Sequence, residues 1–69
     1  MVKAGTILDP VKEGTECIIS EGLYTLWQLK DSSYCFCVLD KYDRYLVLVS
    51  FSEKDLPIMK SKLRRYIKF

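Results

Sequence analysis

Residues 32–51 read SSYCFCVLDKYDRYLVLVSF, and the way this stretch folds back on itself decides the rest. Its two apolar runs, YCFCVL and YLVLVSF, are rich in aromatic and β-branched residues, which suit the pleated, half-buried surface of a strand. The polar DKYDR between them has hairpin length. A five-residue loop at 40–44 sets Leu39 opposite Tyr45 and Cys37 opposite Val47, and directly opposed residues share one face of a sheet.

Upstream, LYTLWQLK at 23–30 alternates and is again rich in strand formers. Asp31, Ser32 and Ser33 follow, side chains that bond their own backbone in turns. A three-residue turn there would pair Lys30 with Tyr34 and Trp27 with Cys37. TECIIS at 15–20 reads as one more strand, closed by a tight turn at Glu21 and Gly22. Four short strands on short loops give an antiparallel meander over residues 15–51. The first fourteen residues are mixed: Thr6, Ile7 and Leu8 suit a short extended piece, and Asp9-Pro10 and Glu13-Gly14 read as breaks.

After Phe51 the period changes. Leu56, Met59, Leu63, Tyr66 and Ile67 recur at helical spacing, so an amphipathic helix is expected near 53–68. Ser52 and Asp55 fit a capping-box variant, and Pro57 belongs in a first turn. The fold class expected is therefore α+β, a four-stranded antiparallel meander with one C-terminal helix in a single domain over 1–69. A small SH3-like or OB-like curled barrel with an appended helix is the alternative.

Unbroken alternation sorts the strands into two faces. Thr25, Trp27, Leu29, Cys35, Cys37, Leu39, Tyr45, Val47, Val49 and Phe51 form the more apolar one, on which the helix is expected to pack. Tyr24, Leu26, Gln28, Lys30, Tyr34, Phe36, Val38, Leu46, Leu48 and Ser50 form the other. A one-sided antiparallel sheet is polar on its outer face, and this face is not. Either the N-terminal segment or barrel closure covers it, or it is an interaction surface.

The chemistry the chain lacks narrows its function. It contains no histidine, the commonest general base and metal ligand. Cys35 and Cys37 sit among Tyr34, Phe36 and Val38, an apolar setting for small buried thiols. C-x-C is not the usual zinc spacing, and Cys17 is expected on the face opposite the other two. No glycine-rich phosphate loop is present. The nine acids are scattered, and Asp40 and Asp43 read as turn formers. The expectation is a protein that is not an enzyme and needs no cofactor or metal.

Three cysteines, an odd number, argue against a disulfide framework and for a reducing, cytoplasmic setting. No signal peptide is seen at the N-terminus, and no stretch approaches the roughly 20 apolar residues of a membrane span. Charge is segregated. All nine acids but only six of eleven bases lie in residues 1–55, leaving −3 there, whereas the last fourteen residues carry +5.

Two binding readings follow. In the first the chain is a small modulator or inhibitor that covers a surface of a larger protein, or pairs with a second copy of itself, through Tyr24, Leu26, Tyr34, Phe36, Leu46 and Leu48. Aromatic and arginine residues are the usual hot spots. Such a compact accessory protein would suit a phage or other mobile element. In the second, Lys60, Lys62, Arg64, Arg65 and Lys68 follow nucleic-acid phosphates. SYCFCVL is similar over about six residues to the aromatic strand motif of RNA-recognition and cold-shock domains, whose rings stack on bases, although Ser32 and Ser33 stand where that motif has its basic-Gly start.

Overall fold

The computed structural model describes residues 2–69. In chain order it contains β1 (Ile7–Leu8), α1 (Pro10–Glu13), β2 (Glu16–Glu21), β3 (Tyr24–Gln28), β4 (Tyr34–Leu39), β5 (Tyr45–Phe51), a 3₁₀ turn (Glu53–Asp55) and α2 (Leu56–Leu63). The strands form one antiparallel sheet in the order β1-β5-β4-β3-β2. The α+β class stands, but the sheet has five strands rather than four. The fifth, β1, is two residues long and pairs Ile7 with Leu46 and Leu8 with Tyr45. Its two residues carry no period of their own, and only the neighbouring strand makes them a strand. The first and last strands in the order are not paired with each other, so the sheet is open at both edges. No helix is long and apolar enough to cross a membrane among the described residues.

Local chemistry explains the connections. Asp9 caps α1 by accepting from the Lys12 amide at 3.3 Å, Pro10 sits in the first turn, and Gly14 ends the helix in a left-handed conformation, φ 61°, where a side chain would be strained. The residues read as two separate breaks are thus the two caps of one helical turn. Glu21 opposes Tyr24, and the two-residue turn between them starts at Gly22 with φ 60°, the position that a type II′ hairpin reserves for glycine. At the next hairpin Asp40 accepts from the amides of Tyr42 (2.8 Å) and Arg44 (3.0 Å) and pairs with the Arg44 guanidinium at 2.9 Å.

The register of β4 on β5 is as expected at the hairpin end: Leu39 faces Tyr45 and Cys37 faces Val47. Between β3 and β4 the loop is wider than expected. Trp27 faces Cys35 and Gln28 faces Tyr34, a slip of two positions that leaves every side chain on its expected face.

The sheet departs from strict alternation at two bulges. In β5, Cys37 pairs with Val47 but Phe36 pairs with Val49, so Leu48 is an extra residue without a partner. One inserted residue inverts everything beyond it. Val49 and Phe51, expected with the cysteines, instead join Phe36 and Tyr34, and Ser50 crosses to stand opposite Cys35. In β2 the extra residue is Ile18, between Cys17, which faces Trp27, and Ile19, which faces Leu26. Cys17 therefore shares the face of Cys35, contrary to the unbulged register.

These inversions create two cores. Leu26, Tyr34, Phe36 and Phe51 are buried with Leu63 and Ile67, and Ile19, Tyr24, Val49, Leu56 and Met59 pack around them. The helix thus lies on the Phe36 face, not on the cysteine face as expected. Large side chains fill the depth between a sheet and a helix, and the Leu48 bulge delivers Val49 and Phe51 to that side. On the opposite face Cys35, Cys37 and Val47 are small. A thin cover suffices there: Leu8 of β1, Leu29 of the β3–β4 loop and Val2 close over them, with Trp27 and Tyr45 at the margin.

Helix α2 is shorter than the 53–68 expected. The 3₁₀ turn precedes it, with the Ser52 hydroxyl donating to Asp55 Oδ2 at 3.1 Å rather than to a helix amide. Beyond Leu63 the chain keeps two helical-turn bonds, from Tyr66 N at 2.9 Å and Ile67 N at 3.1 Å to Leu63 O, and Ile67 enters the core.

If Leu48 is the extra residue of β5, its deletion should leave Val49 opposite Phe36 and Phe51 opposite Tyr34 in a regular ladder, and the cooperative unfolding transition should persist. Were β5 regular, with Leu48 paired to Phe36, the same deletion would reverse the faces of Val49, Ser50 and Phe51, at about 1.5–3 kcal/mol for each large side chain displaced from its core. Leu48→Ala, which keeps the extra residue, should cost less than about 1 kcal/mol. Urea unfolding followed by circular dichroism distinguishes the two registers.

Candidate interaction surface

Cross-strand pairing places the half-buried apolar residues in a row. Tyr24 faces Val38, Val38 faces Leu46, and Leu46 faces Ile7. The row crosses β3, β4, β5 and β1 on the helix side of the sheet, about 15 Å at a strand spacing of 4.8 Å. The short helix does not reach over it. Tyr24, Val38 and Leu46 are only partly buried, and Ile7 is 38% exposed. Leu48, bulged out of the ladder beside this row, is 43% exposed.

Tyr66 supplies the upper border. Its ring lies 5.2 Å from Tyr24 and 5.8 Å from Phe36, while Tyr24 stacks on Phe36 at 5.5 Å. Tyr66 nevertheless keeps 42% of its surface exposed. Aromatic contacts of this kind fix ring orientation and add about 0.5–1.5 kcal/mol beyond burial. The result is a set ring face at the surface rather than a free side chain.

The six apolar residues expected to form a surface therefore divide. Leu26, Tyr34 and Phe36 are buried under α2 and present nothing to a partner, because the helix packs on their face. Tyr24, Leu46 and Leu48 stay accessible and fall together on the strip. Ile7, Val38 and Tyr66 complete it. Ile7 escaped notice because its strand is two residues long, and Tyr66 because its spacing places it on the helix's core stripe.

The basic residues Lys60, Lys62, Arg64, Arg65 and Lys68 are all exposed. None forms an ion pair among the described residues, whose one such pair is Arg44 with Asp40. Lys60 Nζ lies 5.7 Å from the ring centre of Phe69. At the β4–β5 hairpin the exposed Tyr42 ring has Lys41 and Arg44 each 5.0 Å from its centre, but Asp40 and Asp43 cancel those charges in the same loop.

The buried thiols are chemically quiet. Burial pushes the Cys37 thiol up to about 12 and raises that of Cys35, so neither is a thiolate near neutrality. Cys17 is exposed at the sheet edge; Trp27 stands between it and Cys35 on one cross-strand row, which puts the two cysteines about 10 Å apart. No group of three or more cysteine, aspartate or glutamate side chains comes together as a metal cage among the described residues. The carboxyls of Asp31, held by the Ser33 hydroxyl and amide, and of Asp40, held by the Arg44 and Tyr42 amides, are lowered by turn hydrogen bonds.

Comparison of the chain with protein-family models, with curated proteins and with solved structures gives no match.

A thiol reagent at pH 8 should label Cys17 alone in the folded protein and all three cysteines in urea; mass spectrometry of labelled fragments reads this directly. The raised thiol of Cys37 also fixes a sign. Its folded state disfavours the thiolate, so the stabilisation is complete below the ordinary thiol value of about 8.5 and is lost as pH rises toward 12. Unfolding midpoints should fall across that window, with a shallower fall for Cys37→Ala.

Proposed function

We propose that this chain is a non-catalytic protein-binding module that acts by covering a surface of a larger protein, as a modulator or inhibitor. The observation that carries this reading is the strip of Tyr24, Val38, Leu46, Ile7, Leu48 and Tyr66. It is apolar and left partly open: register makes Tyr24, Val38, Leu46 and Ile7 contiguous, and the Tyr66 ring joins the row at Tyr24. Exposing apolar side chains offers no stability, and contiguous apolar patches usually mark interaction sites. The set geometry of Tyr24 and Tyr66 lowers the entropy lost on docking, and tyrosines of this kind are common hot spots.

A second reading rests on a separate observation, the five cations between Lys60 and Lys68, none of them ion-paired among the described residues. Their concentration at one end of the molecule suits a polyanion such as nucleic acid. The two readings respond differently to salt: phosphate-driven binding weakens steeply as salt rises, whereas docking on the strip does so only mildly.

Affinity capture from the native host's extract, with quantitative mass spectrometry, separates them. Leu46→Glu with Leu48→Glu should keep the cooperative unfolding transition, at a cost of about 1–3 kcal/mol for the half-buried Leu46, and should lose the captured protein partner. Lys60→Glu with Arg64→Glu should retain it. The opposite pattern, with capture abolished by nuclease or moderate salt, would overturn the strip reading in favour of the polyanion. A concentration-dependent dimer in light scattering, abolished by the leucine variants, would instead identify a second copy as the occupant.

A further inference from the structure

We infer that the outer edge of β2 is a docking site for an extended peptide with an apolar residue flanked, two positions away on each side, by basic residues. This surface lies at the sheet edge and is independent of the strip. Among the described residues β2 has one strand neighbour, β3. Its six residues include none that is buried. The other sheet edge, β1, is protected by being two residues long, one of the ways proteins blunt an edge; β2 is long enough to template another strand.

Beside this edge lies a groove of about 210 Å³. Ile18, Ile19, Leu26 and Tyr34 line its sheet side, and Leu56, Lys60 and Phe69 its helix side. Two of its apolar side chains, Ile18 at 44% and Phe69 at 46%, are substantially exposed. A strand added to β2 places alternate side chains on this side of the sheet.

The residues of β2 that point to the same side define what those side chains must be. Glu21 faces Tyr24, Ile19 faces Leu26, and Glu16 faces Gln28. Tyr24 and Leu26 belong to the helix-side core, and Gln28 bonds the Tyr34 hydroxyl at 3.3 Å, so all three β2 partners lie on the groove side. The edge reads Glu–Ile–Glu, with the Ile18 bulge absorbing the extra residue. β3 meets this pattern with residues spaced by two, and a regular strand on the outer side meets it the same way.

Neither glutamate forms an ion pair among the described residues, and both are exposed. Opposite charges directly across a ladder attract, and like charges there repel. Charge therefore selects basic residues at the flanks, and the groove selects an apolar one between them. Lys60, the cation lining the groove, sits on the helix wall over the Phe69 ring and not against either glutamate. A second copy is a poor occupant: the symmetric register that pairs all six residues sets Glu16 against Glu21 at both ends.

The test titrates the isotope-labelled chain with acetyl-Ser-Lys-Thr-Ile-Thr-Lys-Ser-amide, read by amide NMR shifts and hydrogen exchange. Shifts should concentrate on residues 16–21 and on Leu56, Lys60 and Phe69, with slowed exchange along β2. Replacing both lysines of the peptide by glutamate should weaken binding about tenfold or more, as should Glu16→Lys with Glu21→Lys, since two reversed pairs amount to roughly 1.4 kcal/mol. Methylating the backbone nitrogens on the pairing side of the peptide should abolish binding while leaving its charge intact. Absence of shifts up to millimolar peptide, equal binding by the methylated or charge-swapped peptide, shifts centred away from β2, or self-association through β2 without peptide would each overturn the inference.

Discussion

One inserted residue governs the arrangement of this protein. Leu48 has no partner in the β4–β5 ladder, and by taking a place without pairing it turns Val49 and Phe51 toward the helix. Were Leu48 paired, it would stand opposite Phe36 where Val49 now lies and Ser50 opposite Tyr34 where Phe51 now lies, and the cysteine face would have to accommodate two more large side chains under a cover one extended segment thick. The same insertion leaves Leu48 itself at the surface. Packing of the core and exposure of an apolar residue thus have a common origin.

The second constraint is the mismatch between the two faces. Aromatic and branched side chains on the α2 side build a deep core, and Cys35, Cys37 and Val47 on the other build a shallow one. A chain of 69 residues has little surface to spare for burial, and it closes both faces with one short helix and one N-terminal segment. Two places stay open: the row from Tyr24 to Ile7 at the hairpin end, and the groove between β2 and α2. The proposed binding functions are assigned to these openings, where apolar side chains stay accessible beside one another.

Much of this was legible in the residues. Alternation and turn chemistry located β3, β4 and β5 and the 40–44 hairpin in its actual register, and the change to helical spacing after Phe51 located α2. The bulges were not legible. Ile18 lies within Cys17–Ile19 and Leu48 within an unbroken run, and nothing in an apolar run marks which residue will be left unpaired. That choice is made by packing across the sheet, so the error was confined to residues beyond each bulge: Val49, Ser50 and Phe51 in one strand, Cys17 in the other. The helix consequently went to the wrong face, and Leu26, Tyr34 and Phe36, expected at the surface, became core. Tyr24 and Leu46 keep accessible surface because the row they occupy lies beyond the reach of an eight-residue helix, and Leu48 because it is bulged out of the ladder.

Nuclear Overhauser contacts from the Val49 methyls measure the inversion at Leu48 most directly. Contacts to the Phe36 ring and Met59 are predicted, together with contacts between Ser50 and Cys35. Val49 contacts to Cys37 and Trp27, with Ser50 on the helix side, would mean an unbulged β5 and would contradict both the two-core arrangement and the surface derived from it.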